Sequence, residues 1–200
     1  MIIGISGAQG QGKTTLIKDL LYFNGDKSII STNIQTARSL LKELNTTLDD
    51  INRNVDKKIK FQEALLKRHH FELSMLQHMK ETYLVERTFA DIFAYALVSV
   101  GPFNEYDDWV NSYYDNCLAA QQAVFDNVIL LSGRDYTPEE DGVRSVNVHF
   151  SKLVDELIIK YTHEFSKKSS GVWRVSCSDR AERVAYVNSQ LVMDKAVSKR

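Results

Sequence analysis

Proline and glycine are scarce in this chain, at 2 and 9 of 200 residues, about half of the roughly 12% that soluble chains carry together. Few turn formers mean few reversals of direction. That excludes collagen-like and low-complexity sequences and argues against an all-β architecture of many hairpins. Cysteine is limited to Cys117 and Cys177, too few and too far apart for a disulfide framework or a zinc site, so buried thiols in a reducing compartment are expected. An excess of charge is also missing. Lys and Arg number 25 against 26 Asp and Glu, so no global field draws the chain to nucleic acid, which argues against that partner without excluding it. No apolar run approaches the roughly 18 residues that a membrane span needs. The start, Met1 to Ser6, has no basic segment before its apolar residues, so no signal peptide is expected and the chain is read as cytoplasmic.

What remains is a soluble composition, 44% hydrophobic and 26% charged, without repeats or linkers, and it reads as a single domain over 1–200. Short apolar runs recur at 2–6, 28–32, 82–86 and 128–131, with a weaker one at 172–175. Their lack of alternation fits strands buried on both faces of a parallel sheet. Between them, apolar residues at helical spacing predict helices over 13–23, 34–44, 57–79, 89–100, 107–125, 147–165 and 180–192. Alternating strands and helices predict an α/β fold with right-handed crossovers.

The few glycines are unevenly placed, with Gly4, Gly7, Gly10 and Gly12 all in the first twelve residues. Gly7-Ala8-Gln9-Gly10-Gln11-Gly12-Lys13-Thr14 satisfies the pattern G-x-x-x-x-G-K-[ST], between a strand and a helix. A phosphate chain needs many inward-pointing backbone N–H groups, and residues with little side chain let the backbone wrap that closely. The helix that follows adds free N–H groups and a favourable dipole. The expected fold is therefore the three-layer P-loop NTPase fold, a five-stranded parallel sheet flanked by helices. ATP with Mg²⁺ is the expected cofactor pair, held by Gly7, Gln9, Gly10, Gln11, Gly12, Lys13, Thr14 and Thr15. Lys13 is assigned to the β- and γ-phosphates and the Thr14 hydroxyl to the metal. No Asn-Lys-x-Asp element follows, against a GTPase. The fourth strand ends in Ser132-Gly133 rather than paired acids, against a mechanical ATPase.

The third strand runs into Glu86-Arg87, at the strand end where open α/β sheets bind ligands. The acid can order the Mg²⁺ hydration shell or accept a proton, and the arginine can clamp a phosphoryl oxygen. An ion pair capping the next helix is the plainer alternative. The stretch Glu86 to Tyr95, with its Ala94-Tyr95 pair, resembles the Asp/Glu-Arg motif of thymidylate kinases and deoxynucleoside kinases. The helix from Phe61 to Arg68 and the segment Asp141-Gly142-Val143-Arg144 resemble P-loop kinases related to the ribosylnicotinamide kinase domain, small enzymes frequent in phage genomes.

The resemblance implies a phosphotransferase. Lys13, Glu86 and Arg87 would be its catalytic residues, with Glu86 at the metal shell, and Arg134 and Arg144 would sit on a lid over about 133–146. Arg144 is favoured of the two because a turn precedes it. It implies adenine near Ser176 to Arg180, with Arg180 as the stacking residue and Asp179 as a helix cap. The acceptor is a small-molecule nucleotide or nucleoside, held by a helical region over about 33–80, and a homodimer is allowed. A sugar hydroxyl needs a general base more than an ionised monophosphate does. No acid follows the second strand before Glu43, whereas Arg38 stands where monophosphate kinases place a phosphate-binding arginine. A deoxynucleoside monophosphate is therefore the favoured acceptor. Nucleosides, other hydroxyl acceptors including DNA, and a non-enzymatic ATP-dependent module remain alternatives. Gln62, Arg68, Arg87 and Phe93 complete the expected acceptor contacts.

Overall fold

The computed structural model describes residues 1–25, 29–32, 37–133, 148–166 and 171–197, with the side chains at 24, 38 and 195–197 left outside that description. The proposed lid arginines, Arg134 and Arg144, lie outside the described residues, as does the side chain of Arg38.

Five strands form one sheet: β1 (Ile2–Ser6), β2 (Ile29–Ser31), β3 (Thr82–Glu86), β4 (Asn127–Leu131) and β5 (Val172–Val175), in the order β2-β3-β1-β4-β5. Every pairing is parallel. The central strands β1 and β4 are buried along their whole lengths, as expected of strands covered on both faces. α1 (Lys13–Asn24) and α8 (Arg180–Val197) cover one face, packing Leu16, Leu20, Val184 and Val187 against Ile3, Ile5, Leu84 and Ile129. The opposite face meets Ile2, Val85 and Val128 with α4 (Val55–Ser74), α5 (Phe89–Val100), α6 (Asp107–Val124) and α7 (Val148–Phe165). This is the expected three-layer arrangement.

Two departures from the expected helices have local reasons. α4 begins at Val55 because the Asn54 side chain accepts from the Lys57 N–H, and it ends at Ser74, short of residue 79. Ahead of it lies α3 (Leu48–Asn52), which apolar periodicity does not announce. One turn long, it is held by a capping box in which Thr47 and Asp50 each bond the other's backbone. α2 (Ala37–Glu43) completes that corner, where Leu40, Leu41, Ile51 and Phe61 form a small core of their own.

Strand order positions the site. β1 lies between β3 and β4, so the loop leaving β1 and the segment leaving β3 emerge side by side at the carboxyl edge of the sheet. Gly4 lets that edge close: a Cβ there would come within 2.5 Å of Thr88 Cγ2 and 3.0 Å of Phe125 Cε1.

Candidate active site

The loop between β1 and α1 turns through left-handed backbone at Gly10 (φ 81°) and Gly12 (φ 87°), while Gly7 has φ 142°. A Cβ on Gly7 would meet the Leu131 carbonyl oxygen at 2.7 Å. These glycines are therefore required by conformation as well as by the motif. Lys13, 5% exposed, folds back across the loop, and its Nζ donates to the carbonyls of Gly7 (2.7 Å) and Ala8 (2.8 Å). Burial, then the charge of Arg87, lowers its pKa to about 7, with Asp91 and Glu86 among the groups opposing.

The β3 segment arrives beside this loop. Thr14 Oγ1 donates to Glu86 Oε2 at 2.7 Å, so the hydroxyl and carboxylate assigned to the metal stand together. Two oxygen donors suit a hard cation that takes its remaining ligands from water and phosphate, as Mg²⁺ does. Among the described residues no group of three or more His, Cys, Asp or Glu forms a self-contained metal centre.

Arg87 has a backbone φ of 80°, uncommon for a residue with a side chain. Its N–H donates to the Ile5 carbonyl at 3.0 Å, and its carbonyl accepts from His69 Nε2 at 3.3 Å, so that nitrogen carries the His69 proton. The guanidinium lies 5.2 Å over the Tyr95 ring and reaches the Gly7 carbonyl and Asp91 Oδ1, each at 3.4 Å. Burial works against its charge, but Tyr95, Asp91 and Glu86 more than offset that and leave its pKa raised.

Asp91, fully buried, joins the two halves of the site. It accepts from the Gly7 N–H (3.2 Å), the Thr88 N–H (3.0 Å) and the Thr88 hydroxyl (2.7 Å), besides Arg87. The sequence reading passed over it, although Thr88-x-x-Asp91 is a legible capping pattern. Asp155 of α7 was also missed. Burial raises its pKa, against a hydrogen bond from the Ala8 backbone and the charge of Lys13. Near it, Gln9 Nε2 donates to Ser151 Oγ at 3.4 Å.

The remaining expected residues separate into several groups. Gln62 is 9% exposed, and its Oε1 is enclosed without a hydrogen-bond partner, whereas its carbonyl accepts from the Tyr113 hydroxyl at 2.8 Å. Arg68 is engaged by carboxylates, Glu43 at 2.7 Å and Glu72 at 2.9 Å, tying α2 to α4. Phe93 is packed among Tyr113, Tyr114, Tyr161 and Phe165 in the core. Arg180 forks onto Asp19 of α1 at 2.9 and 2.5 Å, and Asp179 caps α8 by accepting from the Glu182 N–H at 2.9 Å. A groove of about 600 Å³ between α4 and α6, lined by Glu63, Lys67, His70, Trp109 and Asn116 among others, includes no residue of the phosphate loop or the Glu86-Arg87 pair.

A family model described as an AAA domain matches residues 2–180. The fold resembles a thymidylate kinase from Ehrlichia chaffeensis (TM-score 0.60, 15% identity, covering 96% of this chain and 98% of that one). It also resembles a thymidylate kinase from Candida albicans (0.66, 15%, 97% and 92%). A third likeness is to a deoxyadenosine kinase from M. mycoides with bound dATP (0.62, 16%, 96% and 99%). At such identities the likeness is one of fold. No curated protein sequence matches this one significantly.

Proposed function

Because this chain belongs to the AAA domain family, and because its phosphate loop meets a second acidic and basic pair, we propose that it is a kinase. In this reading it moves the γ-phosphoryl group of Mg·ATP to a nucleoside monophosphate, first of all a deoxynucleotide. The observation that carries the proposal is the meeting of Thr14 with Glu86 at 2.7 Å, beside an Arg87 whose guanidinium touches the loop at Gly7. Phosphoryl transfer asks a protein chiefly for positioning and for positive charge around the transferring group. Those are the things this edge of the sheet supplies.

Lys13 and the loop amides hold the donor phosphates, and Thr14 with Glu86 would hold the metal, which when bound neutralises charge between the phosphates. Arg87 turns from the Gly7 carbonyl toward an acceptor phosphate, and the buried Asp91 keeps its base of attachment rigid. The lid arginines Arg134 and Arg144 close over the phosphates and exclude water. The base of the donor rests near Ser176 to Arg180, and Arg38 with Gln62 receives the acceptor. The enclosed, unpartnered Gln62 Oε1 supports that last role, since it awaits a donor such as a base amino group. The fold shared with two thymidylate kinases and a deoxyadenosine kinase supports a nucleotide or nucleoside acceptor.

A hydroxyl acceptor is the second reading. It is favoured by Glu86, a carboxylate already poised at the phosphate loop that can serve as the base. Incubating the protein with Mg·ATP and a panel of nucleosides, monophosphates and DNA ends, and measuring ADP release, separates the two. Transfer to monophosphates is expected, and Lys13→Ala should lower it by at least about a hundredfold while the protein stays folded. Transfer confined to nucleosides or DNA would favour the second reading. ATP turnover indifferent to every acceptor, or an unchanged Lys13→Ala rate, would overturn the kinase proposal.

A further inference from the structure

Behind the phosphate loop, on the α8 side, lies a buried arginine that belongs neither to the loop motif nor to the Glu86-Arg87 pair. It also falls beyond the residues matched by the family model. Arg183 is 3% exposed. Its Nη1 donates to the carbonyl of Gln11 in the phosphate loop at 2.8 Å, and its Nε to the carbonyl of Cys177, just after β5, at 2.6 Å. Its own N–H donates to the Asp179 carbonyl at 3.1 Å, in the first turn of α8. Burying a guanidinium is costly unless its donors are satisfied. Here two of them are used to join two segments that stand 166 positions apart in sequence, at Gln11 and Cys177.

The consequence for the loop follows from peptide geometry. In a planar trans peptide the C=O and N–H point in opposite directions. Holding the Gln11 carbonyl toward α8 therefore turns the Gly12 N–H the other way, into the loop. Gly12 stands in the left-handed region directly before α1, where the freedom of glycine leaves the orientation of the peptide to its hydrogen bonds. The buried charge also adds to the positive potential at the back of the loop. Arg180, one turn earlier, makes its fork with Asp19 at the surface with a side chain 69% exposed, where water can replace the partner. Arg183 has no such recourse.

We infer that Arg183 is a positioning residue for the nucleotide donor. It aims the Gly12 N–H at the phosphates and sets the segment after β5, where the base rests, at a fixed distance from them. This rests on the donor reading given above. A side chain that only stabilised the fold would leave the ligand preferences of the folded protein alone. A clamp between two half-sites makes the intact nucleotide depend on it more than the phosphates by themselves.

The test is calorimetric binding of tripolyphosphate and of Mg·ATP to the wild type, Arg183→Met and Arg183→Lys, with the melting temperature of each free protein as a check of folding. Arg183→Met should lose about tenfold in tripolyphosphate affinity and about a hundredfold in ATP affinity, the range of one and two charge-assisted positioning bonds. Arg183→Lys, whose ammonium can serve one carbonyl well but not both at the guanidinium's spacing, should fall between. Tripolyphosphate affinity within about twofold of wild type, or equal losses for the two ligands, overturns the inference. If Arg183→Met does not fold, Arg183→Lys carries the same comparison with smaller factors. A wild type that binds neither ligand overturns the donor reading instead.

Discussion

Arg87 occupies a backbone conformation that costs a residue with a side chain about 1–3 kcal/mol, and the surroundings show what maintains it. The Ile5 carbonyl takes its N–H, His69 serves its carbonyl, and Asp91, Gly7 and Tyr95 surround its side chain. His69 gives this set a dependence on pH. Burial lowers its pKa to about 4, against the Arg87 backbone bond and the charges of Asp91 and Glu72, with His70 adding to the depression. The unfolded chain takes up this proton near pH 6.5 and the folded one near pH 4. Stability from the neutral ring is thus complete above about pH 6.5 and is lost as pH falls toward 4. Between pH 7 and pH 5 the wild type should lose about 2 kcal/mol more in urea unfolding than His69→Gln, which keeps a donor and does not titrate. Equal losses in the two proteins would show that the ring is not held neutral.

At the scale of elements, the junction of β1 with the start of α5 leaves no room for a side chain at Gly4. The Thr88 hydroxyl closes the capping box with Asp91, which fixes the rotamer of Thr88 and points its methyl at Gly4. Gly4→Ala would press a Cβ to 2.5 Å from that methyl, an overpacking that costs about 1–3 kcal/mol in a buried site. Thr88→Ser keeps the capping hydroxyl and removes the methyl. The double variant should therefore recover part of the loss, measured as a positive coupling of at least about 0.5 kcal/mol in a double-mutant cycle. Additive losses would mean that Phe125, 3.0 Å from the same point, carries the clash instead.

For the whole molecule, the first strand and the last helix are both tied into the rest of the fold. The amino terminus donates to the Glu81 carbonyl at 3.1 Å, the Ile2 N–H to Asp126 at 2.7 Å, and α8 packs on α1. The two tryptophans report on distant parts, Trp109 on α6 and Trp173 on β5. A single cooperative unit predicts that tryptophan fluorescence and far-ultraviolet circular dichroism give one coincident urea transition. Separate midpoints would divide the chain into independently folding parts. The near-neutral net charge also acquires a spatial meaning at this scale. Lys13, Arg87 and Arg183 gather at the carboxyl edge of the sheet together with Glu86, Asp91 and Asp155, so the charge there is set by local pairing and not by the net charge of the chain.

The order of amino acids alone specifies the strands, the phosphate loop and the position of Glu86-Arg87 at a strand end. Each of these is a local property, set by β-branched runs, by glycines that permit unusual φ values, and by the side-chain spacing of a few neighbouring residues. It also announced the helices that have an apolar stripe, though not α3, whose single turn depends on a capping box rather than on periodicity. Which side chains complete the site was decided by the tertiary structure. The partners of Thr14, Gly7 and Gln11 lie 72, 84 and 172 positions away, at Glu86, Asp91 and Arg183. Such contacts follow from strand order and from the packing of α5 and α8 on the sheet, and no periodicity along the chain records them. For the same reason Arg68, Phe93 and Arg180 read from sequence as free to meet a ligand. Glu72 stands one helical turn from Arg68 on α4 and is legible from that spacing, whereas Glu43, the aromatic neighbours of Phe93 and Asp19 arrive only when α2 meets α4, α5 meets α6 and α7, and α1 meets α8.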